Sequence, residues 1–142
     1  MRLIAKQIEL VQRSWRGILP IRDTFAEVFY GKLFSLDPSL KPLFRGEMQD
    51  QGRNLAAVIS IAVTGLSRLE TITLAIQELG RRHAAYGVRH RHYDSFAEAL
   101  MWTLAHSLGE AFTDDVKDAW AAAYRVLAET MKSGVPSTAD AR

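Results

Sequence analysis

Cysteine is absent from the 142 residues of this chain. Its absence excludes disulfides, thiolate zinc sites, cysteine-ligated iron–sulfur clusters and cysteine nucleophiles, so any metal must sit on histidine, carboxylate or a non-protein ligand. Proline is scarce, at four residues, and collagen-like or proline-rich disordered classes are excluded with it. No run of about eighteen consecutive apolar residues marks a membrane span. The start Met1-Arg2-Leu3-Ile4-Ala5-Lys6 carries charge where a signal peptide needs an apolar stretch. The expected location is cytoplasmic, without a membrane partner. Charge of one sign is also in short supply. The formal net charge is +2 and the pI about 9.1, a mildly basic balance that does not by itself point to nucleic acid.

What is present suits one ordinary domain. With 48% hydrophobic and 24% charged residues in 15.9 kDa, the chain is long enough to bury roughly 68–70% of its unfolded surface. Alternating runs of Val, Ile and Thr are missing, and apolar residues recur at spacings of three and four, so the expected fold class is all-α. A first helix spans about Ala5 to Leu19, and Pro20 both ends it and opens a second that runs to Leu36. Asp37-Pro38 starts a short segment ending near Phe44. Further helices are expected from Met48 to Leu66, Thr71 to Tyr86 and His92 to Phe112, and a last one opens at Thr113-Asp114-Asp115. Gly87, with Val88 as its apolar follow-up, is the expected left-handed stop of the Thr71 helix. Residues 1–132 form the expected domain, and 133–142, nearly devoid of apolar side chains, the expected frayed tail.

Two polar residues interrupt the inward stripes of consecutive helices. Gln51 heads the stripe of Leu55, Val58, Ile59, Ala62 and Leu66, and His83 interrupts that of Ile72, Ile76, Leu79 and Tyr86. Burying an unpartnered polar group costs a few kcal/mol. Either each is satisfied locally, His83 on a main-chain carbonyl one turn back and Gln51 at the exposed start of its helix, or the two helices face each other across a flat apolar cofactor. In the second case His83 is an axial metal ligand and haem fits the description.

The motifs Phe29-Tyr30, Asp37-Pro38 with Leu43-Phe44, Gln51-Gly52-Arg53 with Leu55, Arg82-His83 with Tyr86-Gly87-Val88, His92-Tyr93, and Ala119-Trp120 with Tyr124 occur in one order over about residues 5–132. In that order and spacing the chain resembles the globins, most closely the bacterial single-domain, flavohaemoglobin-type branch. The resemblance implies a globin fold around haem b (iron protoporphyrin IX), with His83 as proximal iron ligand and Phe44 wedged against the porphyrin. It puts Tyr30, Gln51 and Leu55 around the bound gas, where the Tyr hydroxyl and Gln amide donate hydrogen bonds and raise oxygen affinity. Arg82, Val88 and Tyr93 complete the implied cofactor-binding set. Arg53, Arg89 and His90 are further candidates for the propionates. The glutamate that accompanies the proximal tyrosine of flavohaemoglobins would fall near Val135, in the expected tail, so the full proximal relay is not expected.

Arginines and histidines crowd the run from Arg81 to His92. Clustered cations of this kind suit either phosphate binding or a solvated face at a helix C-terminus, and the latter is the expectation: no nucleic-acid partner. Histidines two apart, as in His90-Arg91-His92, do not share a helix face, which argues against zinc. His106 and Glu110 are an expected surface pair. The implied function is reversible binding of dioxygen, NO or CO. The alternative is a nitric oxide dioxygenase, which would depend on a separate reductase because 142 residues leave no room for a flavin or nicotinamide domain. A gas sensor and a haem-free helical interaction module are the remaining options.

Overall fold

Apolar residues three and four apart build six α-helices in the computed structural model, which describes residues 3–44 and 46–135. They are α1 (Ala5–Ile18), α2 (Arg22–Leu36), α3 (Met48–Thr64), α4 (Leu69–Ala85), α5 (His90–Leu108) and α6 (Asp114–Ser133). Short stretches of 3₁₀-helix at Leu19–Ile21, Pro38–Leu43, Gly65–Arg68 and Gly109–Ala111 join or extend them. Among the described residues there is no strand. The all-α expectation therefore holds.

Local chemistry sets the ends. Asp37 accepts the Ser39 amide at 3.1 Å and starts the Pro38 turn, and Thr113 accepts the Val116 amide at 3.3 Å to cap α6. Gly87 has φ +101°, the conformation expected of it, and the Val88 amide closes the end of α4 on the His83 carbonyl at 3.0 Å. Several boundaries lie one to four residues from expectation, and those of α5 have an identifiable cause. Helix α5 begins at His90, before His92, because the His92 Nδ1 accepts the Arg89 amide at 2.8 Å and satisfies an otherwise orphan donor. It stops at Leu108, before Phe112, because Gly109 takes φ +56°. The early stop puts Glu110 in the following turn, and His106 instead stacks on Trp102 at 5.3 Å.

The core is cemented by aromatics whose polar atoms find partners. Trp15 lies edge-on to Phe25 and Trp120; its indole donates to Ser60 Oγ at 2.9 Å, while that of Trp120 donates to Ser14 Oγ at 2.8 Å. These bonds pin α1 to α3 and α6. Helix α2 packs on α3 and α5, and α4 on α6. At the α2–α3 crossing, a Cβ on Gly52 would lie 3.0 Å from Ala26 Cβ, so glycine lets the two helices approach closely there. Helices α3 and α4 are joined by the Gly65–Arg68 turn but touch little along their lengths.

Helix α6 continues through Ser133, and Gly134 lies against Gln77 of α4. The rest of the expected tail, 136–142, lies outside the described residues. Phe25, fully buried in the aromatic core, gives the first prediction. Phe25→Ala should destabilise the chain by about 3–5 kcal/mol in urea unfolding, and a loss below about 1 kcal/mol would show that the site collapses around the missing ring.

Candidate functional site

The run from Met48 to Ala85 includes an 18-residue window with mean hydropathy 1.5, apolar and long enough by composition to cross a membrane, yet only 28% of that window is buried. Two helices this apolar ought to be covered. Instead they form opposite walls of a cavity of about 160 Å³. Helix α3 contributes Leu55, Val58, Ile59 and Ala62, and α4 contributes Ile76, Leu79 and His83. The floor consists of Phe29 together with Tyr93, Phe96, Trp120, Tyr124 and Leu127 from α5 and α6. Val58, 37% exposed, marks the open side.

His83 is the one histidine lining this cavity among the described residues. Its Nδ1 lies 2.8 Å from the Leu79 carbonyl oxygen. A carbonyl can only accept, so Nδ1 carries the proton and Nε2 is left as the basic nitrogen. Burial, and secondarily the neighbouring Arg82 cation, pushes the imidazole pKa below its ordinary 6.5 against the opposing pull of the Leu79 bond. A neutral imidazole with one nitrogen tied to a backbone carbonyl is the form that ligates metals, and the tie fixes its ring orientation. The two readings of His83 that the sequence left open are thus compatible. The same local bond that satisfies the residue also prepares it as a ligand.

The structure brings Leu55, His83 and Tyr93 together at this cavity and sets the other expected residues around it. Tyr30 lines a second, more polar cavity of about 560 Å³ with Phe34, Asp23, Glu27, Lys41 and Arg53. Its hydroxyl donates to the Gln51 main-chain carbonyl at 3.3 Å, and burial pushes its pKa up to about 12, so it stays a proton donor. Gln51 is half-buried at the start of α3. Phe44 packs edge-on against Tyr30 and Phe34 and lies 6.4 Å from Phe96, which does line the apolar cavity. Val88 touches the site through its bond to the His83 carbonyl, and Arg82 is exposed beside it. Arg53 pairs with Asp50.

Several contacts around the site were not expected from the sequence. Tyr124 donates to the Tyr93 carbonyl at 2.7 Å, and Lys132 Nζ sits 5.1 Å over the Tyr93 ring. The His92 ring faces Asp37 at 3.9 Å between its Nε2 and the carboxylate, and this carboxylate's pKa is lowered chiefly by the Ser39 hydroxyl. Phe96 and Leu127 were legible as inward stripe positions. The side-chain contacts of Lys132 and His92 depend on neighbouring helices and have no local signal.

Residues 27–131 match the family described as Globin. The chain belongs to the globin family. It is 30% identical to the neuroglobin of Tetraodon nigroviridis over 94% of this chain and 92% of that one, and equally similar to the neuroglobin of Chaenocephalus aceratus. Among solved structures, the fold of this globin superposes on a bacterial globin from Campylobacter jejuni with TM-score 0.81 and 21% identity, covering 92% and 95% of the two chains. An engineered carbene transferase made from a putative nitric oxide dioxygenase of Rhodothermus marinus gives 0.82 at 24% identity over 92% of each chain. A hexacoordinated haem protein from an anhydrobiotic tardigrade gives 0.83 at 16%, over 93% and 94%. The relatives at 30% identity are neuroglobins, so these likenesses support the family and not the narrower bacterial, flavohaemoglobin-type branch.

Globins bind haem and, through it, gases, and the cavity of this globin suits that group. Its walls are apolar, one imidazole oriented by the Leu79 carbonyl lines it, and the surrounding helices carry more apolar surface than the protein itself covers. The depressed pKa of His83 has a consequence for the haem-free chain. Between the depressed folded value and the ordinary 6.5, the unfolded chain binds more protons, so stability from this group is complete above that window and is lost as pH falls through it. Urea midpoints of haem-free protein should therefore fall from about pH 7 to about pH 5 more steeply than those of His83→Phe. Parallel slopes would contradict the burial of a neutral His83.

Proposed function

We propose that this globin binds haem b through His83 and takes up dioxygen, and also NO or CO, reversibly on the opposite side. The observation that carries the reading is the His83 ring, oriented by the Leu79 carbonyl and lining an apolar cavity between α3 and α4. When bound, haem supplies the iron centre at which a diatomic gas is held. The chain does the rest. His83 presents Nε2 as a neutral donor, Leu55 and the apolar walls exclude water, and α3 provides the opposing wall. Among the described residues the cavity holds no second histidine, so His83 is the residue that would hold the iron.

Tyr30 and Gln51 are the proposed donors to the gas. The Tyr30 hydroxyl bond to the Gln51 carbonyl is long, at 3.3 Å, so exchanging it for another acceptor costs about 1 kcal/mol or less. Arg82, Val88 and Phe44 border the proposed site, the last by way of Phe96. Nitric oxide dioxygenation with an external reductase is the second reading. It uses the same pocket, and the putative dioxygenase among the structural neighbours is the observation that favours keeping it.

Absorption spectra of the ferric, ferrous and carbonyl forms test the ligand. His83→Gly should lose the native ferrous spectrum and regain it with added imidazole, whereas an unchanged spectrum in the variant would remove His83 from the site. Tyr30→Phe should speed oxygen dissociation about 5–30-fold in stopped flow, the equivalent of about 1–2 kcal/mol. An unchanged rate would leave Tyr30 in its bond to Gln51 and outside the gas pocket.

A further inference from the structure

The grip of α6 on α4 is tightest one turn before His83. Gly80 is buried, and a Cβ there would overlap the Met131 carbonyl oxygen and lie 2.6 Å from its carbon. The two helices therefore meet backbone to backbone. One turn earlier, Gly134 makes the reciprocal approach: a Cβ on it would sit 2.8 Å from Gln77 Cβ and clash with the Gln77 carbonyl. Two polar bonds cross the same seam, from Gln77 Nε2 to Ser133 Oγ at 3.1 Å and from an Arg81 guanidinium nitrogen to the Gly134 carbonyl at 3.2 Å. Helix α6 also reaches α5: Tyr124, from its middle, holds the Tyr93 carbonyl, and Lys132, from its last turn, covers the Tyr93 ring.

We propose that the last turn of α6 positions the His83 ring, with Gly80 as the contact that sets how far α4 stands from α6 and with Gln77 and Arg81 as the bonds that hold it there. These are positioning residues. The inference rests on His83 being the iron ligand. The bond from His83 to Leu79 lies within α4 and fixes ring rotation, but it moves with the helix and cannot set the helix's place in the fold. That place is fixed by the α6 seam, three residues from His83, which on a rigid helix is less than one turn away. Real Cβ atoms essentially never approach closer than 3.0 Å, so a methyl group at Gly80 must push α4 away from α6 and carry His83 with it.

Resonance Raman spectroscopy of the ferrous, haem-loaded full chain reads this through the iron–histidine stretching line. Gly80→Ala should shift the line, and the double variant Gln77→Leu with Arg81→Met should shift it in the same direction by less. Gly17→Ala, a helix glycine with nothing within 4 Å of the added carbon, should leave it in place. A line present in the unmodified protein and unmoved in both Gly80→Ala and the double variant overturns the positioning role. A line that is missing from the unmodified protein, or survives in His83→Gly, overturns the ligand assignment itself. If Gly80→Ala does not fold, the double variant decides, because it removes the two bonds and leaves the Gly80 contact unchanged.

Discussion

Apolar surface that the chain does not cover is the constraint on which the rest of this structure depends. Helices α3 and α4 are the most membrane-like stretch among the described residues, yet little of their most apolar window is buried. The hydrophobic effect favours covering such surface by about 25 cal/mol per Å², and an ordinary helical domain would close these two helices on each other. Here the Gly65–Arg68 turn joins them, and their packing is to other partners, α3 to α1 and α2 and α4 to α6. The scaffold is stiff where it needs to be. Trp15 and Trp120 hydrogen-bond to serines on neighbouring helices, and glycines at 52 and 80 allow close crossings. A frame of that kind can hold a slot open for a flat apolar guest, at the expense of stability when the guest is missing.

The slot has one polar feature that decides its chemistry. Leu79 gives its carbonyl to His83 in addition to its place in the α-helix, and the histidine is thereby satisfied, neutral and oriented. Burial of the ring works in the same direction by disfavouring the imidazolium. Tyr93 and Tyr124 also line the cavity, and Tyr124 spends its hydroxyl on the Tyr93 main chain. On the other side of α3, Tyr30 and Phe44 belong to an aromatic cluster with Phe34 that borders a separate, polar cavity. The two cavities are therefore built differently: a fixed imidazole from α4 lines the apolar one, and a weakly held hydroxyl from α2 lines the polar one.

Much of this was legible in the residues themselves. The spacing of three and four located all six long helices, Thr113 and Asp37 announced their caps, and Gly87 marked a stop, because each of these is a local property of the backbone. His83 stood out as a polar break in an apolar stripe; the structure shows its local satisfaction on the Leu79 carbonyl, and that bond leaves Nε2 available for the ligation proposed above. The start of α5 was misplaced because a histidine side chain served as its cap, a use that the usual capping residues do not suggest. His106 was paired with Glu110 on the assumption that the helix continued, and Gly109 ended it first. Lys132 over Tyr93, Asp37 beside His92 and the Gly80 seam had no signal, since each joins residues far apart in the chain.

Thermal unfolding of the haem-free chain in the presence of increasing free haem tests the central claim most directly. A ligand that binds only the folded state raises stability by RT ln(1 + [L]/Kd), so the midpoint should climb steadily with haem concentration, and His83→Phe should weaken the climb. A midpoint that does not move with haem would contradict the account: the uncovered faces of α3 and α4 would then have some other partner.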